Sequence, residues 1–303
     1  MSDINKKKTL ITGATGFIGA HLCKKLVEEG WNVHIIVRDK SDLSQIKHIL
    51  NCLVLHPYNG TMTELLNIVD KVKPVIVFHL ASLFITTHQE SDVEPLISSN
   101  ICFSTQLVEA MVRNNVYKLI NTGTSWQHYD NKDYSPVCLY AATKQAFEAI
   151  LQYYTDAAPL STITLELYDT YGPDDKRKKL FSLFRENAQT QTLLNMSPGE
   201  QLLNIVYIDD VIDAYLESAK QLLESPVKMC KKYSVSSDTM ISLRNVASIY
   251  SEVTGKQLNL NWGGKPYRER EVMIPWDNGE SLPRWQPKVN IEKGIRIMEQ
   301  QEV

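Results

Sequence analysis

Thr12-Gly13-Ala14-Thr15-Gly16-Phe17-Ile18-Gly19 is the stretch that decides the fold. A short β-rich run, Thr9–Thr12, leads into it. After it Phe17, Ile18, Leu22, Leu26 and Val27 recur at helical spacing as far as Gly30. A glycine triplet spaced G-x-x-G-x-x-G between a strand and a helix is a phosphate-binding loop. Gly13 allows a tight turn, Gly16 lets the backbone approach a pyrophosphate, and Gly19 lets helix and strand pack closely. The exposed amide groups and the positive end of the helix then face the phosphates. The expected dinucleotide contacts are therefore Gly13, Thr15, Gly16, Phe17, Ile18 and Gly19.

Outward from this loop, strands are expected at Val33–Val37, Leu53–Leu55, Pro74–Leu80, Lys118–Asn121 and Ile163–Leu167. Helical periodicity fills the gaps, including a long helix from Asp92 carrying Val93, Ile97, Ile101, Val108 and Met111 on one face, and another over Leu139–Tyr154. Strands and helices alternating at this spacing require right-handed crossovers, hence an α/β fold with a parallel, doubly wound Rossmann sheet. After Gly172-Pro173 the order loosens, and Pro, Gly, Trp and Arg become more frequent. The expected division is a cofactor domain over residues 1–170 and a smaller C-terminal substrate lobe over 171–303, with an approximate boundary and room for the chain to cross back.

Cofactor choice is made at the end of the second strand. A site for NAD usually places a carboxylate there; this chain has Val37, followed by Arg38. A guanidinium can hold a 2′-phosphate in a fork of charged hydrogen bonds. NADP(H) is therefore expected, with NAD(H) as the alternative because Asp39 is a competing acid.

Tyr140 and Lys144 stand four apart on an expected helix and so share a face. A nearby ammonium favours tyrosinate and lowers the tyrosine pKa, which would let Tyr140 exchange a proton with a substrate oxygen. Thr122-Gly-Thr-Ser125 ends the fifth strand, where a hydroxyl can polarise a carbonyl; Thr124 is the first choice and Ser125 the alternate. Trp126, His128 and Tyr129 either line a sugar pocket or pack within a loop.

Bulk properties narrow the field. Net charge is -3, with 43% hydrophobic and 22% charged residues, so no nucleic-acid footprint is expected. Five scattered cysteines without C-x-x-C spacing read as free thiols in a reducing cytosol. The polar, basic start Met1–Lys8 reads as a lead-in to a strand rather than a signal peptide. No run approaches the roughly 18 apolar residues of a membrane span. The histidines show no metal-ligand spacing, and no metal is expected. A cytoplasmic location follows from these readings.

With these features placed, the sequence resembles the extended short-chain dehydrogenase/reductases, the NAD-dependent epimerase/dehydratase family. The likeness rests on Thr12–Gly19, Phe78-His-Leu-Ala-Ser82, Asn100, Thr124, Tyr140 with Lys144, Tyr171-Gly-Pro173, Val206-Tyr-Ile-Asp-Asp-Val211, and Trp285 with Pro287. It implies that Leu80, Ala81 and Ser82 run beside the cofactor and that Asn100 supports the site. It also implies that Thr124, Tyr140 and Lys144 form a catalytic triad, Lys144 also bonding the nicotinamide ribose, and that Arg268 or Arg270 meets a substrate diphosphate. Relatives pair as homodimers through the helices that here start at Asp92 and Leu139. Within the family, Asn121–Ser125 and Leu167–Pro173 are most similar to CDP-abequose and CDP-paratose synthases, NADPH-dependent reductases of 4-keto-6-deoxyhexose nucleotides. The chain departs from the family pattern at His56-Pro57-Tyr58, Glu166, Asp169 and Leu203.

The resemblance thus implies hydride delivery from NADPH to the C4 ketone of a CDP- or dTDP-linked sugar. Competing readings are a nucleotide-sugar 4-epimerase using NAD and, in another class, a non-catalytic NADP-sensing or scaffold protein. A 4,6-dehydratase needs an added acid and base after the threonine, where this chain has Ser125-Trp126.

Overall fold

The computed structural model describes residues 7–300; apart from Lys7 and Lys8, the polar lead-in lies outside the described residues. Strand β1 is Lys8–Thr12 and helix α1 is Phe17–Glu28. The alternation continues through β2 (Asn32–Val37), β3 (Leu53–Pro57), α2 (Met62–Val72) and β4 (Ile76–His79). Next come α3 (Val93–Ile97), α4 (Phe103–Arg113), β5 (Lys118–Thr124), α5 (Leu139–Ala157) and β6 (Ser161–Leu167). Shorter elements follow: β7 (Asp169–Tyr171), α6 (Leu180–Thr190), β8 (Leu194–Met196), β9 (Leu202–Leu203) and β10 (Ile205–Tyr207). The chain then forms α7 (Ile208–Glu224), β11 (Cys230–Val235), β12 (Ile241–Ser242), α8 (Leu243–Thr254), β13 (Leu260–Trp262) and α9 (Ile291–Gln300).

Seven strands make one sheet in the order β11-β6-β5-β4-β1-β2-β3. From β5 to β3 every pairing is parallel, with Thr12 opposite both Ile36 and His79. The central strands are covered on both faces, which explains the short apolar runs of β1, β2 and β4: β4 is buried at every residue and β1 at all but Lys8. On α2, Leu65, Ile68, Val69 and Val72 fall on one buried stripe, and Thr61 caps the first turn by accepting from the Glu64 amide. That stripe packs with Leu107, Val108 and Met111 of α4 and Phe147 and Leu151 of α5 in one hydrophobic cluster.

Three details differ from expectation. Leu43–Ile49, whose sequence predicts a short helix, instead winds into a 3-10 run, Ser44–Cys52, of which only Ile46 is buried. The long helix from Asp92 is broken between α3 and α4 by a π-helical turn, Ser98–Cys102. The seventh strand, β11, was not read from sequence, since its first three residues are exposed at the sheet edge and polar.

Nor does the division fall at one point in the chain. One compact unit runs through Thr124 and adds Cys138–Glu166 and Ile212–Tyr233; the other takes Ser125–Val137, Leu167–Val211 and the chain from Ser234. The second unit holds three two-stranded ladders, β10-β7, β12-β9 and β13-β8. Its α8 and α9 are tied by Glu299, which accepts from the Tyr250 hydroxyl at 3.1 Å and pairs with Lys256.

Candidate active site

Gly13 sits at φ +74°, and a Cβ there would lie 2.6 Å from the Ala81 nitrogen. A Cβ on Gly19 would collide with the Gly13 carbonyl oxygen, whereas one on Gly16 would find only that oxygen, at 3.4 Å. Gly13 and Gly19 therefore serve the close packing of β1, α1 and the segment after β4, while Gly16 leaves open the side a ligand approaches. The α1 N-terminus has no side-chain cap and no acid in its first turn. Thr12 closes the loop: its Oγ1 accepts from the Ala81 amide at 3.2 Å, and its carbonyl accepts from the Leu80 amide at 3.1 Å. Leu80 and Ala81 are thus fixed beside Gly13. This bare, anion-seeking cradle fits the diphosphate of a nicotinamide dinucleotide.

Arg38 is exposed immediately after β2, with Val37 buried before it. The backbone there is locked by a reciprocal pair: Arg38 donates to Ser41 Oγ and Ser41 donates to the Arg38 carbonyl, each at 2.9 Å.

The π-helical turn aims Asn100 into the first unit. Its Oδ1 accepts from the Leu83 amide at 2.7 Å and from Ser82 Oγ at 3.1 Å. Its Nδ2 donates to the Leu83 carbonyl at 3.0 Å and to Thr143 Oγ1 at 2.9 Å. A π-turn often marks a functional site, and here it lets one amide staple the loop after β4 to α5. Ser82 is also hydrogen-bonded to the Tyr140 phenol, and Phe84 meets the Tyr140 ring edge-on at 4.9 Å.

Tyr140 and Lys144 are both buried on the same face of α5, and Thr124 is buried at the end of β5. Burial pushes the Tyr140 phenol far above its ordinary value, Cys138 adds to this, and the Ser82 hydrogen bond opposes it. The expected lowering by Lys144 is not among the influences on this phenol; desolvation dominates and holds it protonated. Burial lowers the Lys144 ammonium to about 8, against the opposing field of Glu148. His79, whose ring nitrogens meet Thr12 Oγ1 at 2.7 Å and Ser104 Oγ at 2.8 Å, is structural.

The substrate-side candidates lie in the second unit. A small, solvent-open cleft is lined by Ser125, Trp126, His128, Tyr129, Arg268, Glu271 and Trp276, among others. His128 stacks on Trp276 with ring centroids 3.8 Å apart. Trp126, His128 and Tyr129 therefore both pack and line the cleft. Arg268 forks onto Glu271 at 2.9 and 2.8 Å and lies 5.3 Å from the Trp126 ring. Arg270 is not part of the lining; it donates to Ser135 Oγ at 2.8 Å and lies over Tyr129. Asp169 and Leu203, two of the departures, line the same cleft. Glu271 and Trp276 were missed as lining residues, although Glu271 at three residues from Arg268 is a spacing that reads as a pair.

Asp210, in the Val206–Val211 element, accepts from the backbone of Lys288 and Val289 at 3.0 Å each, and its carbonyl accepts from Trp285 Nε1 at 2.9 Å. That element and the Trp285 segment thus support each other structurally. Among the described residues no cluster of three metal-ligating side chains occurs, and no helix is long and apolar enough to cross a membrane.

A glycine cradle, a buried Tyr–Lys pair and a strand-end threonine define an NAD(P)-dependent oxidoreductase of the extended short-chain dehydrogenase/reductase type. The pattern of the NAD dependent epimerase/dehydratase family matches residues 9–228, and the chain belongs to that family. CDP-abequose synthase of Salmonella muenchen is 26% identical over 303 residues, covering 98% of each chain. Protein CapI of Staphylococcus aureus is 27% identical over 246 residues, 75% of this chain and 72% of its own. Among solved structures, a UDP-glucose-4-epimerase from Stenotrophomonas maltophila superposes with TM-score 0.86 at 17% identity over 98% of both chains. UDP-glucuronic acid 4-epimerase from Bacillus cereus does so with TM-score 0.84 at 22% identity, over 97% of this chain and 99% of its own. At these identities the solved structures speak for the fold.

Proposed function

We propose that this chain is an NADPH-dependent reductase of the C4 ketone of a nucleotide-linked 4-keto-6-deoxyhexose, a CDP- or dTDP-sugar, in deoxysugar biosynthesis. The observation that carries the reading is the full-length likeness to CDP-abequose synthase, joined to a buried phenol held protonated. When bound, the reduced nicotinamide supplies hydride to the ketone carbon. Thr124 Oγ1 donates to the carbonyl oxygen and polarises it. Tyr140 Oη passes its proton to that oxygen as the C–O bond becomes an alcohol. The Lys144 ammonium steadies the tyrosinate left behind and bonds the ribose of the cofactor.

Gly13, Thr15, Gly16, Phe17, Ile18 and Gly19 cradle the diphosphate, with Leu80, Ala81 and Ser82 beside the nicotinamide half. Arg38 takes the 2′-phosphate, a role favoured by its exposure and by the apolar Val37 before it. Ser125 and Arg268 contact the substrate, Arg268 as a diphosphate ligand and Arg270 in support. The enzyme works as a cytoplasmic homodimer.

The test is nicotinamide absorbance with purified protein, NADPH or NADH, and freshly made CDP- or dTDP-4-keto-6-deoxyglucose. Fast loss with NADPH, abolished by Tyr140→Phe, is expected. No loss with either sugar and either cofactor overturns the substrate assignment. Tightly held NAD in the purified protein, with interconversion of 4-hydroxy epimers, would make it an epimerase instead.

A further inference from the structure

Behind the Tyr140–Lys144 pair lies a second set of charges to which the mechanism above gives no role. Glu148 continues the same face of α5, four residues beyond Lys144. Its side chain is only 7% exposed. One carboxylate oxygen, Oε2, lies 3.3 Å from the Lys232 ammonium, which reaches in from β11. The other, Oε1, lies against the backbone of Gly123, where an added Cβ would come within 3.2 Å of it. Gly123 immediately precedes Thr124. Lys232 also faces Glu166 of β6 at 3.8 Å, and that carboxylate is 2% exposed.

Two buried carboxylates thus share one ammonium, carried by a lysine whose side chain is itself half exposed at the sheet edge, and a buried charge persists only when compensated. Lys144, one helical turn before Glu148, feels the field of that carboxylate. Glu166 is one of the departures from the family pattern, and Lys232 lies on the strand that the sequence reading missed. The absence of a side chain at Gly123 is what lets α5 and β6 bring both carboxylates against β5.

We propose that Glu148 is a positioning residue for Lys144: it keeps the Lys144 ammonium charged inside the protein, and Lys232 in turn anchors Glu148 and Glu166. The inference rests on the reading of Tyr140 and Lys144 as the catalytic pair. Its physical basis is plain. Burial favours the neutral amine, a neutral amine cannot steady a tyrosinate, and an opposite charge nearby reverses the preference. The direction matches, since Glu148 raises Lys144 against its desolvation.

The other ionisable neighbours do not supply this field. His79 on β4 is lowered to about 3 by burial and by Lys144 itself, and is neutral throughout the working range. Tyr140, on the helix of Lys144, and Tyr215 of α7, which faces Tyr140, are both pushed upward and are uncharged. Cys138 acts on Tyr140 and is not among the groups that shift Lys144.

The decisive measurement is the titration of Lys144 by side-chain nitrogen NMR on full-length, lysine-labelled protein, its signal assigned by loss in Lys144→Met. The wild type is expected to titrate near 8. Glu148→Gln, nearly isosteric, should lower the midpoint by about one pH unit. Lys232→Met should raise it, because the Glu148 carboxylate is then no longer shared with a second ammonium. The alkaline limb of kcat/KM against pH should move in the same two directions, with about a fivefold loss at pH 8 in Glu148→Gln. Glu148→Asp, which keeps the charge, should restore the limb.

Unchanged Lys144 midpoints in both Glu148→Gln and Lys232→Met overturn the inference. If the wild type reduces no 4-keto nucleotide sugar, the functional reading fails, and the NMR midpoints still decide the role of Glu148.

Discussion

Asn100 donates from Nδ2 to the Thr143 hydroxyl at 2.9 Å, and that hydroxyl in turn donates to the Tyr140 carbonyl at 2.7 Å. One side chain in a π-turn therefore fixes both α5 and, through Leu83 and Ser82, the loop after β4. Asn100→Ala strands the Leu83 amide and carbonyl, while the Thr143 hydroxyl keeps its bond to the Tyr140 carbonyl. A loss of about 2 kcal/mol in stability is expected, since each group left unsatisfied costs about 1 kcal/mol or more. Urea unfolding measures this. A larger fall in kcat than in cofactor affinity should accompany it, because the Tyr140 turn loses its support.

Gly13 and Gly16 should separate packing from binding. Gly13→Ala puts an L-residue at positive φ, worth about 1 kcal/mol or more, and drives its Cβ into the Ala81 nitrogen. The expected loss approaches about 3 kcal/mol. Gly16→Ala meets only the Gly13 oxygen, at 3.4 Å. It should fold within about 1 kcal/mol of the wild type yet bind NADPH far more weakly, because the methyl occupies the side the diphosphate approaches. Thermal melts and cofactor fluorescence titration distinguish the two. Equal destabilisation by both substitutions would refute the assignment.

Acid should loosen the first unit through two buried histidines. His34 is lowered to about 4 by burial, then by His56, Lys8 and Lys71, and its Nε2 has no hydrogen-bond partner. His79 is lowered to about 3. Both are neutral when folded and take up protons on unfolding below about 6.5. The stability that depends on their neutrality is whole above about pH 6.5 and declines as pH falls towards the folded values. At pH 5 the two groups should contribute a slope of about 2.7 kcal/mol per pH unit. Urea unfolding at pH 7 and pH 5 reads it, and His34→Gln should flatten it by about half.

The first unit was legible in the sequence because parallel strands covered on both faces leave short apolar runs. The glycine loop then sets their direction and ligand. Tyr140, Lys144 and Thr124 were legible because short-range spacing and strand ends fix where such side chains go. β11 was not, since Cys230-Lys231-Lys232 is exposed at the sheet edge and carries no apolar period. Glu148 was in view at helical spacing, but its meaning depends on Lys232, which is distant in sequence. The π-turn around Asn100 was not legible, because Val93, Ile97 and Ile101 keep helical spacing with Val108 and Met111; the turn rotates the face, so that Val93 and Ile97 are exposed while Leu96 and Asn100 are buried with Val108 and Met111. The Tyr140 phenol ran opposite to expectation because spacing reveals the lysine but not the degree of desolvation.

Arg38→Ser should raise KM for NADPH by about ten- to a hundredfold, the range of lost charged hydrogen bonds. KM for NADH should barely change. The backbone at this position is held by Ser41 rather than by the guanidinium, so the fold is not at risk. Steady-state kinetics with both cofactors is the check, and a parallel rise in both KM values would assign Arg38 to general packing.

Arg268 should behave differently from Arg270, although both are exposed arginines two residues apart. Arg268 lines the cleft with its guanidinium held by Glu271, whereas Arg270 is spent on Ser135 and Tyr129. Burial alone would push the Glu271 carboxyl up, but the hydrogen bonds and charge of Arg268 outweigh it and hold the carboxyl below its usual value. The pair is therefore charged at neutral pH, and an incoming diphosphate competes with Glu271 for the same fork. Arg268→Ala should raise KM for the nucleotide sugar about tenfold or more and change kcat less. Arg270→Ala should raise it only severalfold. Glu271→Gln removes the competitor, so KM should fall while the fork remains in place. If Arg268→Ala leaves KM unchanged and Glu271→Gln raises it, the diphosphate is bound by other groups and the pair is there to hold the cleft wall.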